Sequence, residues 1–139
     1  MMLTSRQSVL IPDAPLQGNT DVPILVIDWE MVHLGVPSID FGQMIAELYT
    51  VWLYKDSSAA RWMMQGFVQG YGEVADQVAF RTAIQIGAHL ICVTSTMGWG
   101  DSHQVEEAVA HGKAIIVHAW QKDRLWFNST ELECLFHQD

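Results

Sequence analysis

The chain has 139 residues, half of them hydrophobic, with seven Lys and Arg against sixteen Asp and Glu and a net charge of −9. That length suits one compact domain over residues 1–139 with a sizeable core, and ten Gly and four Pro are too few for a disordered chain. So acidic a surface repels a phosphate backbone and offers no basic cluster to an anionic bilayer, so neither nucleic acid nor a membrane is an expected partner.

The first ten residues lack the apolar centre of a signal peptide, and 1–7 are expected to be disordered. The chain is read as cytoplasmic. Residues 8–12 (SVLIP) and 24–28 (ILVID) are short β-branched runs bounded by proline. Between them Pro15, Gly18, Asn19 and Asp21 supply turn chemistry, so the two runs are expected to form a short two-stranded β-hairpin. Gly35 and Pro37 break the chain.

From Ser38 the period becomes helical. Ile39, Met44, Ile45, Leu48, Val51 and Trp52 recur every three or four residues, with Ser38 as the expected N-cap and Asp40 in the first turn. A second helix is expected from Ser57 or Ser58 to Val68, with Trp62, Met63 and Phe67 as its apolar face, ended by Gly70 and Gly72. A third, over 74–96, carries Val78, Ala79, Ala83, Ile86, Leu90 and Val93 and is apolar on more than one side, which marks it as the buried central helix. Its most apolar part, 83–98, includes Gln85 and His89 and is too short and polar to span a bilayer. After a turn at 98–100, a fourth helix over 102–126 carries Val105, Val109, Ile116, Ala119 and Trp120, capped by Asp101 or Ser102. A helical tail at 130–136 follows. The expected class is α+β, mostly helical: the hairpin, then four to five helices.

The strongest chemical feature is Asp28-Trp29-Glu30 at the end of the second strand. Residues i and i+2 of a strand share a side, so Asp28 and Glu30 can face one cleft. Two carboxylates there suit Mg²⁺ or an acid/base pair, and equally two solvated acids. Of the six histidines, none has metal-ligand spacing. His33, beside the acidic string, is the candidate among them. His89 reads as a hydrogen-bonded core residue, and His111 and His118 share a helix face two turns apart. Ser95, Ser102 and Ser129 lack a nucleophile context. Cys92 and Cys134 read as buried thiols, and the tryptophans at 52, 62, 99, 120 and 126 read mostly as core.

The longer string over 26–42, from Val26-Ile27-Asp28-Trp29-Glu30 through Gly35-Val36-Pro37 to Asp40-Phe41-Gly42, resembles the aminoglycoside phosphotransferase and choline kinase superfamily. Its continuation 43–49, Gly66-Phe67, Gly70-Tyr71-Gly72, 79–84 and 119–124 resemble the fungal branch of that family. The resemblance covers almost the whole chain from Val9 and implies the C-terminal lobe of a protein-kinase-like fold. It implies that Asp28 is the Mg²⁺-binding acid, that Asp40 is a mainly structural acid, and that Glu30 and His33 stand nearest a catalytic role.

The family's His-Gly-Asp…Asn segment is not matched. Leu3 stands where the proton-accepting Asp belongs and Ser8 where the metal-binding Asn belongs, and no phosphate-covering loop is found. Without base, metal ligand and nucleotide lobe, little transition-state stabilisation remains. The expectation is therefore a truncated, pseudokinase-like chain with a vestigial Mg²⁺ site and no ATP use of its own. It would act as a binder of a small molecule or a partner protein, with an exposed face at 8–34 that favours a homo-oligomer. The alternatives are a non-kinase enzyme of a fungal secondary-metabolite pathway that reuses the acceptor pocket, and a fragment of an ATP- and Mg²⁺-dependent small-molecule kinase.

Overall fold

Pro37 sets where the helical part begins. Its ring holds φ near the helical value, and its missing N–H is one that a first turn leaves unbonded anyway. In the computed structural model, which describes residues 8–10, 25–27 and 34–136, helix α1 runs Pro37–Lys55 with Val36 as N-cap and no side-chain cap. The expected Ser38 cap is thus corrected: Ser38 is buried inside the first turn, and Pro37 opens the helix rather than breaking the chain.

The chain divides into two units, 1–35 and 36–139. In the first, β1 (Ser8–Leu10) and β2 (Leu25–Ile27) pair antiparallel, with Ser8 opposite Ile27. The link between them, residues 1–7 and residues 28–33 lie outside the described residues. So do the hairpin as a whole, the disorder expected for 1–7 and most of the face expected at 8–34.

The second unit is mostly helical. After α1 come α2 (Ser58–Tyr71), α3 (Asp76–Cys92) and a 3-10 turn at Thr94–Thr96. Then follow α4 (Ser102–Trp120), a one-turn α5 (Arg124–Phe127) and a 3-10 turn at Glu133–Leu135. Helix α3 is central, packed against α1 on one side and α4 on the other. Glycines permit both approaches. A Cβ at Gly42 on α1 would lie 3.0 Å from the Thr82 carbonyl oxygen. A Cβ at Gly112 on α4 would lie 2.7 Å from the Gly87 carbonyl oxygen, and one at Gly87 would lie 2.6 Å from that of Gly112. At that crossing the two backbones touch. Ile45, Ala83, Ile86, Leu90, Ile115 and Phe127 fill the core, each large aliphatic side chain contributing roughly 1.5–3 kcal/mol. Segment 76–96 is long and apolar enough by composition to cross a bilayer, but half of it is buried within this helical unit, as a core helix requires.

Several expectations are corrected here. Helix α2 buries Ala60, Met64 and Val68, a strict four-residue stripe, while Trp62 is 74% exposed and Met63 is exposed too. Gly70 lies inside α2, and only Gly72, with φ +91°, ends it. The fourth helix breaks: Lys122 takes φ +57° and Asp123 caps α5 by accepting the Trp126 N–H. The buried stripe of α4 is Ala108, Gly112, Ile115 and Ala119, and Trp120 is exposed. Asp101 is its cap, in a reciprocal capping box with Gln104. Arg124, the first residue of α5, reaches Asp76 at the start of α3 at 3.3 Å and also donates to the Phe136 carbonyl. Among the tryptophans, Trp52 and Trp126 pack on the core, whereas Trp62, Trp99 and Trp120 are exposed. Both cysteines are free; Cys92 is exposed rather than buried, and burial pushes the Cys134 thiol up to about 11.

Candidate functional site

Between Ile45 and Thr50 every residue of α1 is buried, so this stretch has no solvent side. Glu47 falls within it. Its carboxylate faces His89 of α3, with Oε1 and Nε2 3.6 Å apart, and the two residues are 3% and 6% exposed. That separation is too long for a hydrogen bond. Neither atom has another partner, and Thr82 Oγ1 is in the same condition. Burial raises the Glu47 pKa above its ordinary value and lowers that of His89, so both shifts favour the uncharged forms.

Further along the same seam the polar groups are satisfied. Thr50 donates to the Ala46 carbonyl, its Oγ1 lies 2.8 Å from that of Thr94, and the Tyr54 hydroxyl reaches the Thr94 carbonyl. Buried polar atoms in folded chains are nearly always bonded, so an unsatisfied carboxylate and imidazole aimed at one another are the departure that needs a reason. Glu47 Oε1 and His89 Nε2 are thus left with unused hydrogen-bonding capacity in the interior.

Asp28, Glu30 and His33 lie outside the described residues. Asp40 is exposed in the first turn of α1. His89 is buried as read, and its Nε2 has no hydrogen-bond partner. His111 and His118 face different partners. His111 Nδ1 lies 2.9 Å from the Tyr49 hydroxyl. His118 Nδ1 lies 2.9 Å from Asp123, and its ring stacks on Trp126. The hydrogen bond from His118, then that from the Trp126 N–H, lowers the Asp123 pKa. Among the described residues no group of three or more His, Cys, Asp or Glu could hold a metal ion. A recess of about 400 Å³ at the start of α3 is walled by Glu73, Asp76, Arg124 and Phe136. It sits on the order of 20 Å along α3 from His89 at 1.5 Å per residue, and its Arg124 is already bonded to Asp76.

Glu47 was not singled out by the sequence. The signal that finds it is its neighbours: an acid inside the apolar run 44–48.

No family profile matches the chain, and no solved structure matches it. It is 29% identical over 123 residues to the phosphotransferase FrzJ of Cladobotryum sp, an alignment covering 88% of this chain and 32% of that protein. It is 32% identical over 91 residues to the 4-hydroxytryptamine kinase of Psilocybe cyanescens, covering 64% of this chain and 25% of that one. The enzyme of the same name from Psilocybe cubensis is 26% identical over 93 residues. The chain is a partial phosphotransferase-like relative. It spans about a quarter to a third of the length of these fungal proteins.

Proposed function

We propose that this chain is a small-molecule-binding protein of phosphotransferase ancestry that does not transfer phosphate by itself, with Glu47 and His89 as the polar anchor for its ligand. The observation that carries the reading is the unbonded, buried carboxylate–imidazole pair. Leaving such groups unpaired costs about 1–3 kcal/mol each. A fold retains that cost where the groups serve a ligand.

The relatives support the ligand class. Two of them are named kinases of 4-hydroxytryptamine, a molecule with one hydroxyl and one amine. A ligand of that kind could bond to the carboxylate oxygen and the imidazole nitrogen that have no partner. In this reading the helical unit corresponds to the acceptor side of a kinase-like C-terminal lobe. Asp28 is a vestigial Mg²⁺ grip with Glu30 and His33 beside it, ATP is not a ligand of the chain alone, and the face at 8–34 takes a partner or a second copy. The opposed shifts of the buried carboxyl and imidazole favour a second reading, in which the pair is the acid/base group of a non-kinase enzyme.

The thermal midpoint, followed during titration with 4-hydroxytryptamine and separately with MgATP, tests the first reading. Ligand at a hundredfold excess over Kd stabilises by about 2.7 kcal/mol. The midpoint should rise with the amine, stay flat with MgATP, and lose its response in Glu47→Gln. A rise with MgATP, or an undiminished amine response in Glu47→Gln, sinks it.

A further inference from the structure

The outward face of α2 carries no charge on a chain whose net charge is −9. Ala59, Trp62, Met63, Gln65, Gly66 and Gln69 are exposed there, Trp62 by 74%. By helical periodicity they share one broad side, turned away from the buried stripe of Ala60, Met64 and Val68. Arg61, at the edge of that side, is the single charged residue of the helix, and it lies 3.8 Å from Glu131.

A two-fold pair of copies sets a patch against the same patch on the other copy. Like charges are disfavoured in such a contact, which makes most of an acidic surface unsuitable for it. What can meet itself is an apolar group, or an amide, which holds donor and acceptor in one side chain. The face of α2 is made of these: Trp62 and Met63, with Gln65 and Gln69 beside them. Trp120 on α4 supplies the contrast. It is 79% exposed, but Lys113 is exposed two turns before it and Lys122 two residues after it. A symmetric contact there sets ammonium groups against ammonium groups.

We propose that the outward face of α2 is a self-association surface, at which a second copy of this chain docks through its own α2. Trp62 is the anchor, since a few central aromatic residues carry most of the energy of such contacts. Helix α2 is roughly 21 Å long. One helix face of that length falls short of the roughly 800 Å² that each partner gives to a standard stable interface, so the pair is weak and reversible. The contact does not rest on the Glu47–His89 pair.

Sedimentation velocity of the full chain from about 10 to 500 µM tests it. The weight-average coefficient should climb with concentration from the monomer value toward that of a dimer. Trp62→Glu should weaken association by about thirtyfold. Gln69→Glu, which sets carboxylates into the contact from both copies, should weaken it by about tenfold. Trp120→Glu should leave it unchanged. A monomer at every concentration overturns the proposal. So does association that survives Trp62→Glu or Gln69→Glu, because another face then carries it. Equal loss in Trp120→Glu overturns it as well, since the contact is then non-specific. Should Trp62→Glu fail to fold, Gln69→Glu decides, because it alters only an exposed position of α2.

Discussion

The two faces of α3 solve opposite problems. Toward α4 it meets a glycine with a glycine, backbone against backbone, at a distance no added carbon tolerates. Toward α1 it also closes on a glycine, Gly42, but further along the same seam it buries a carboxylate oxygen and an imidazole nitrogen without hydrogen-bond partners. The first face is shaped for stability. The second gives some of it up, and such local deficits gather where a protein binds or reacts.

The largest expected effect breaks the first face. Gly112→Ala drives a Cβ into the Gly87 carbonyl. Overpacking of this kind costs about 3 kcal/mol, read as a lower urea midpoint at unchanged slope. The second face should respond with the opposite sign. Glu47→Met fills the same space without a polar atom and should raise stability by about 1 kcal/mol, while the response to amine ligand disappears.

The pH dependence of that gain sharpens the contrast. Glu47 is held above its ordinary 4.5, so its share of stability is present at low pH and is lost as pH rises through its folded value. His89 is held below its ordinary 6.5, so its share is present above 6.5 and is lost as pH falls through its folded value. Thermal midpoints across pH 4 to 8 should therefore show the advantage of Glu47→Met growing as pH rises, as an order-of-magnitude trend. A constant advantage would mean that Glu47 titrates normally. The smallest effect is a control. A Cβ at Gly66, exposed on α2, meets nothing within 4 Å, so Gly66→Ala should gain about 0.8 kcal/mol from helix propensity alone.

Much of the helical order was legible because α1 and α3 repeat their apolar residues periodically: Ile45, Leu48, Ala83, Ile86 and Leu90 are buried as expected, while Ile39 and Val93, at the ends of the pattern, are exposed. The Asp101 cap was legible for the same local reason. The face of α2 was not. Size pointed to Trp62 and Met63, but an edge helix buries only a narrow stripe, and Ala60, Met64 and Val68 occupy it. The break at Lys122 was hidden because a left-handed turn ordinarily advertises itself with glycine or asparagine; Asp123, as a second cap, was the available sign. Glu47 was missed because an acid in a helix is by default a solvent-facing residue. Only the packing of α1 on all sides puts it indoors. The acidic string at Asp28, on which the ancestry was read, lies outside the described residues.

Arg124 ties together parts of the chain that are far apart in sequence. One guanidinium holds the opening residue of α3 and the carbonyl of Phe136. The front of the central helix and the segment at Phe136 thereby share one side chain as a common anchor point.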